Sequence, residues 1–186
     1  MRKLVAFESV SLDGFYKDAG GDMSWAHKQD PEWNAFVAGN ASGEGALLFG
    51  RVTYEMMASF WPTPAAREMA PTVAEGMNQM SKYVCSRTLT SASWQNTTVL
   101  TGDAAVEVRR VKAEPGPDLV ILGSGTLVSS LVAAGLVDEL QVVVSPIVLG
   151  RGTSLFASVE RRIPLKLQKT RAFGNGNVVL YYEPMK

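Results

Sequence analysis

Cysteine and histidine are almost missing from this chain, which has one of each, Cys85 and His27. A lone cysteine cannot close an intramolecular disulfide, and the pair is too small a set for a usual zinc site, so no metal is expected. Both scarcities suit a reducing cytoplasm. Net charge is missing too, because 18 Lys and Arg balance 18 Asp and Glu. Nucleic-acid polymers are gripped by an excess of cations set against phosphates, so no such partner is expected. Nor does any apolar run read as a membrane span. The uncharged stretch from Leu119 to Val137 is interrupted by Gly123, Ser124, Gly125 and the Ser129-Ser130 pair, which reads as a buried strand followed by a helix. After Met1-Arg2-Lys3, Glu8 and Asp13 break the apolar run too early for a signal peptide. A cytoplasmic chain without a membrane partner is expected.

What is present is a core. Of 186 residues, 46% are hydrophobic and 9% aromatic, which excludes a disordered chain and suffices for a packed interior. No linker composition and no repeat of roughly 20–50 residues divides it, so one domain over residues 1–186 is expected. Glycine is over-used, at 17 residues. Residues 3–10 read as a first strand, followed by a polar, glycine-rich loop. Asp30-Pro31 opens a helix through about Ala38, with Asp as cap and Pro in the first turn. Strands are predicted at 46–49, 83–86, 97–100, 119–122 and 140–144. Helices are predicted at 53–60, across 64–80, from Asp103 to the Pro115-Gly116-Pro117 break, and over 125–134. Residues 165–173 and 177–183 form an antiparallel hairpin around Gly174-Asn175-Gly176. The fold class is therefore α/β: a mixed, mostly parallel sheet flanked by helices, with a C-terminal hairpin.

Ligands on such sheets sit beyond the C-terminal ends of the strands, and three predicted ends carry suitable groups. The sharpest is LVILGSGTLVSSLV, where an apolar strand runs through Gly123-Ser124-Gly125-Thr126 into a helix. Glycines allow close backbone approach, and a helix N-terminus offers unpaired N–H groups, which suits a pyrophosphate. Val128 stands where the dinucleotide fingerprint GxGxxG has its third glycine, which counts against an NAD-type Rossmann dehydrogenase. A glycine turn required only by packing is the other reading of the motif. In ALLFGRVTYEMM, Gly50 ends a strand while Arg51 and Thr53 begin a helix. In YVCSRTL, Ser86-Arg87-Thr88 follow a short apolar strand. Two arginines near such ends favour a cofactor with an extra phosphate, such as the 2′-phosphate of NADPH.

The succession SLDG, FGRVTYE, CSRTL, ILGSGTL and VLGRGTSLF resembles the dihydrofolate reductase-like superfamily. More narrowly it resembles the C-terminal reductase domain of the bifunctional riboflavin-biosynthesis deaminase-reductase and its stand-alone relatives, over about residues 3 to 183. The resemblance implies a dihydrofolate reductase-like fold, a homodimer and an NADPH-dependent reductase of a pyrimidine- or pterin-like substrate, of the 5-amino-6-(5-phosphoribosylamino)uracil reductase type. It implies that Gly50, Arg51 and Thr53 hold cofactor phosphates and that Ser86, Arg87 and Thr88 meet the adenosine ribose and its 2′-phosphate. Gly123, Ser124, Gly125, Thr126 and Leu127 match the pyrophosphate loop, where the family often has Gly-Gly and this chain has Ser124. Ser11, Leu12, Asp13 and Gly14 match the loop beside nicotinamide and substrate, and Arg151 stands where a substrate phosphate would be met.

MSWAHKQDPEWNAF further resembles the folate reductases' substrate helix, placing Asp30 where those enzymes keep a carboxylate facing the pterin. Helix capping is the other reading of Asp30, and a turn role is the other reading of Asp13. Water or either carboxyl is a candidate proton donor for the reduction. Trp25 and Trp33 wall the substrate pocket or pack in the core. His27 reads as a surface residue and Cys85 as a small buried hydrophobe. The apolar Val142 to Val148 region serves a dimer interface or the core. A nucleotide-binding domain without turnover, and a reductase of some unrelated carbonyl or imine, are the alternative functions. The zinc deaminase domain of the bifunctional enzyme has no counterpart in this sequence.

Overall fold

A computed structural model describes residues 1–28, 30–41 and 45–185. In chain order the elements are β1 (Leu4–Ser11), β2 (Phe15–Asp18), α1 (Pro31–Ala41), β3 (Ala46–Gly50), α2 (Arg51–Phe60), α3 (Pro64–Met69), α4 (Pro71–Gln79), β4 (Lys82–Cys85), β5 (Thr97–Leu100), α5 (Ala104–Ala113), β6 (Leu119–Leu122), α6 (Gly125–Ala133), β7 (Glu139–Ser145), β8 (Gly152–Ser154), β9 (Leu165–Ala172) and β10 (Val178–Pro184). An eight-stranded sheet runs β5-β4-β3-β6-β1-β7-β10-β9, parallel from β5 through β7 and antiparallel across β10 and β9.

The continuous apolar run of β3 follows from burial on both faces in a central parallel strand. Ala46 and Leu48 join one core with Leu4, Ala6, Ile121, Val128 and Leu131. Leu47 and Phe49 join another with Tyr54, Met77, Val84 and Trp94. A third cluster packs Trp33 of α1 against Val143, Phe173, Val179 and Tyr181. α5 is capped by Asp103, whose carboxylate accepts the Ala105 and Val106 N–H groups, as a capping side chain should.

The helical stretch predicted across 64–80 is divided into α3 and α4, because Pro71 starts a second helix and Ala70 before it turns to φ −149, ψ 72. Proline disfavours helical backbone in the residue ahead of it. The loop after the first strand also contains β2, which pairs with β8 in a separate two-stranded ribbon. β7 lies between β1 and β10, so Val143 is buried in the core and Val142 and Val144 pack against it, while Val148 is exposed. Among the described residues no helix is long and apolar enough to cross a membrane, and no cluster of His, Cys, Asp and Glu suits a metal ion.

Candidate active site

The sheet order converts the separate sequence motifs into one edge. β4, β3, β6 and β1 are consecutive parallel neighbours, so Ser86-Arg87-Thr88, Gly50-Arg51, Gly123-Ser124 and the Ser11–Gly14 loop follow one another along their C-terminal ends. Three strand spacings cover roughly 14 Å, the scale of an extended dinucleotide.

Two of these ends are tied together. The Gly50 N–H donates to Ser124 Oγ at 3.0 Å. Ser124 caps α6 with φ 64 and follows Gly123 at φ 66, so the chain turns through left-handed backbone just before the helix. Arg51 is exposed and forms an i,i+4 ion pair with Glu55 at 3.0 Å. Ser86 Oγ accepts the N–H groups of Thr88 at 3.2 Å and Leu89 at 3.0 Å, which holds the turn and leaves Arg87 and Thr88 exposed. Leu127 puts its side chain into the core, so only its backbone faces the loop.

Gly125 serves packing as well as approach. A Cβ on it would lie 2.6 Å from the ring of Tyr16, whose hydroxyl meets Thr126 Oγ1 at 2.9 Å. Gly152 is similarly required by the β2–β8 ribbon, where a Cβ would meet the Lys17 carbonyl oxygen at 2.3 Å. Tyr16 and Lys17 escaped the sequence reading because β2 itself did. Lys17 and Arg151 line a cleft of about 540 Å³ with Asp18 and Thr153.

At the end of β1, Ser11 Oγ accepts the Phe15 N–H at 3.0 Å. The Asp13 carboxylate accepts N–H groups from Leu149 at 3.1 Å and Gly150 at 2.7 Å. Hydrogen bonding from Ser11 first, and from those two amides, holds its carboxyl below the usual range. Asp13 is thus an ionised acceptor tying two loops, a geometry unlike that of a proton donor at neutral pH. Asp30 does cap α1, its Oδ1 accepting the Trp33 N–H at 2.9 Å, and its Oδ2 lies 3.1 Å from the Cβ position of Gly174. Trp33 is core, in edge contact with Phe173 at 5.0 Å. Trp25 is half-buried and donates to the Asp22 carbonyl at 3.2 Å. Arg151 is exposed. Burial, with Glu107 and Asp103 adding to it, pushes the Cys85 thiol up to about 12, so it is not a nucleophile.

One acid, read in the sequence only as a break in the first apolar run, is buried beside the site. Glu8 lies on β1 at 3% exposure; its Oε1 accepts the Ser9 N–H at 3.2 Å and its Oε2 has no partner. Burial pushes its carboxyl up to about 8. An acidic residue inside an apolar strand was the available signal.

The donor set fits an NADP cofactor. Backbone N–H groups at the starts of α2 and α6, the Thr53, Ser86, Thr88 and Thr126 hydroxyls, and two exposed guanidiniums stand along one edge, which is chemistry suited to phosphates.

The family model for the RibD C-terminal domain matches residues 2–179. The uncharacterized protein YyaP of Bacillus subtilis (strain 168) is 30% identical, over 97% of this chain and 94% of its own. A putative riboflavin biosynthesis protein from Shewanella sp. PV-4 has a TM-score of 0.74 at 22% identity, with 99% of each chain covered. Dihydrofolate reductase from Enterococcus faecalis, solved as a complex with NADP(H), has a TM-score of 0.64 at 15% identity, covering 99% of this chain and 97% of that one. These two likenesses show the fold, which is dihydrofolate reductase-like.

Proposed function

Since the chain belongs to the RibD C-terminal domain family, we propose that it is an NADPH-dependent reductase of a ribosylamino-pyrimidine or related heterocycle, of the riboflavin-pathway type. The observation that carries the reading is the alignment of β4, β3, β6 and β1, which sets an arginine-bearing turn, two helix starts and the Ser11–Gly14 loop in the order an extended NADPH requires.

Arg87, with the Ser86 and Thr88 hydroxyls, takes the 2′-phosphate end, and Arg51, Thr53 and the Gly123–Thr126 loop take the pyrophosphate. Leu127 contributes its backbone N–H. When bound, the cofactor supplies the hydride. The Ser11–Gly14 loop orients the ring that delivers it, and Asp13 fixes that loop against Leu149 and Gly150. Asp30 faces the heterocycle, where a carboxylate pairs with an amino-pyrimidine edge. Water returns the proton, while Asp30 as a carboxylate and Asp13 act by position. Arg151, with Lys17 beside it, receives a substrate phosphate, and Trp25 closes the loop side of the pocket. The resemblance that supports this reading also supports a homodimer in the cytoplasm, and sedimentation velocity tests the dimer.

Fluorescence titration should show NADPH binding at micromolar levels, and 5-amino-6-(5-phosphoribosylamino)uracil should cause NADPH oxidation. No NADPH binding would sink the proposal. Tight binding without turnover across pyrimidine, pterin, carbonyl and imine substrates would assign the nucleotide-binding role instead.

A further inference from the structure

The last rung of the sheet gathers three of the buried polar atoms that lack a hydrogen-bond partner, whereas Glu8 Oε2 and Thr97 Oγ1 are lone cases elsewhere among the described residues. Ser11 ends β1 and pairs with Ser145, which ends β7. Asn177 immediately precedes Val178, whose partner is Val144. The three side chains therefore form a row across neighbouring strands, sealed at 1%, 0% and 0% exposure. Ser11 Oγ is engaged by the Phe15 N–H. Ser145 Oγ and both side-chain polar atoms of Asn177 have no hydrogen-bond partner. Buried polar groups in native proteins are nearly always paired, because an unpaired one keeps its full desolvation penalty. Here three such atoms share one rung.

The rung stands at the C-terminal rim of β1 and β7, the side of a parallel sheet on which ligands sit. By strand alternation its side chains follow the face that carries Phe7, Val143 and Val179. That face is covered by α1, whose first turn Asp30 caps. The same corner includes the β9–β10 turn, where Gly174 approaches Asp30 and Asn175 donates to the Lys28 carbonyl at 3.3 Å. Above the rung the chain continuations meet. The Leu12 N–H donates to the Ile147 carbonyl at 2.8 Å, and a Cβ on Gly176 would lie 3.0 Å from the Pro146 ring. The bonds from the Leu149 and Gly150 N–H groups to Asp13 are exposed, so water could replace them if a substrate displaced this loop to reach the rung.

The geometry points to Ser145 and Asn177 as a specificity-determining subsite for an uncharged lactam or amide edge of the substrate. It rests on the reductase reading and names the residues that recognise the substrate there. A lactam edge presents one donor beside one acceptor, and the Asn177 amide presents the complementary pair, with a rotatable hydroxyl from Ser145 beside it. A phosphate or carboxylate has no donor for Asn177 Oδ1, and a simple ketone has none either. With the Asp30 carboxylate on the same face for amino groups, the arrangement suits an amino-pyrimidinone.

The test uses 5,6-diaminouracil as probe. Its affinity is measured by calorimetry on the full chain saturated with NADP⁺, beside the Tm and the NADPH Kd. Asn177→Leu keeps the volume and removes both unpartnered atoms. It should leave Tm unchanged or raised, keep the NADPH Kd within about twofold, and weaken diaminouracil binding at least tenfold. Ser145→Ala should weaken it severalfold. A Tm loss of several degrees in Asn177→Leu would show a structural amide and overturn the subsite, as would equal diaminouracil binding by wild type and variant. Wild type that binds NADPH but not diaminouracil removes the lactam assignment and leaves the reductase reading intact. Wild type that binds neither removes both.

Discussion

The ring of Tyr16 occupies the space that a side chain on Gly125 would need, with ring carbons 2.6 and 2.7 Å from the position of its Cβ. The Tyr16 hydroxyl is anchored on Thr126 in the next position, so the ring cannot withdraw without breaking that bond. Gly125→Ala should therefore destabilise by about 1–3 kcal/mol, as overpacking does, read by urea denaturation. In the Tyr16→Ala background the same substitution should cost far less, because the two residues are in contact and their effects do not add.

Ser124 offers a paired experiment. It holds left-handed backbone at φ 64 while its hydroxyl accepts the Gly50 N–H. Ser124→Ala keeps the strained backbone and loses the bond, so it should destabilise by about 1 kcal/mol. Ser124→Gly loses the same bond but relieves a conformation that disfavours side chains by roughly 1–2 kcal/mol, and should stay close to wild type. Equal losses for the two variants in denaturant titrations would remove the backbone argument.

Glu8 predicts a pH dependence of stability. Its folded carboxyl holds a proton up to about pH 8, whereas the unfolded group releases it near 4.5. The folded state thus binds more protons between those values, and this contribution is full below pH 4.5, declines as pH rises, and is gone above about 8. The slope is at most ~1.4 kcal/mol per pH unit. Unfolding free energies at mildly acidic, neutral and alkaline pH should fall in wild type, and the part of that fall owed to Glu8 should vanish in Glu8→Gln.

Arg87 is exposed at the end of β4, the far end of the proposed cofactor track. Arg87→Ala should weaken NADPH binding at least tenfold, in line with losing a charged partner worth about 1.5–3 kcal/mol, and change NADH binding by less than about threefold. Equal losses for both nucleotides would take Arg87 away from the 2′-phosphate.

Much of this could be read from the sequence because strand and helix periods are local. The apolar runs 46–49 and 119–122 and the Asp103 cap fall where the pattern places them. The hairpin of β9 and β10 around Gly174–Asn177 does too. The β2–β8 ribbon was illegible because its strands lie far apart in sequence and are only four and three residues long. Pairing across such a distance leaves no periodic trace. The same limit hid Tyr16 behind Gly125: a missing side chain looks alike whether a ring or a phosphate takes the space. Burial misled nothing at Cys85, which is apolar either way, but the sequence could not say that Ser145 and Asn177 end on one rung.

β1 bonds to β6 on one side and to β7 on the other, so a single strand is the seam between the half of the sheet proposed to face the nucleotide and the half proposed to face the substrate. Such a seam makes the molecule modular. On the proposed assignment, drift in Ser145, Asn177 or Arg151 would alter what is reduced without disturbing the turns along β4, β3 and β6, so a lineage built on this sheet could exchange substrates while its coenzyme stayed fixed.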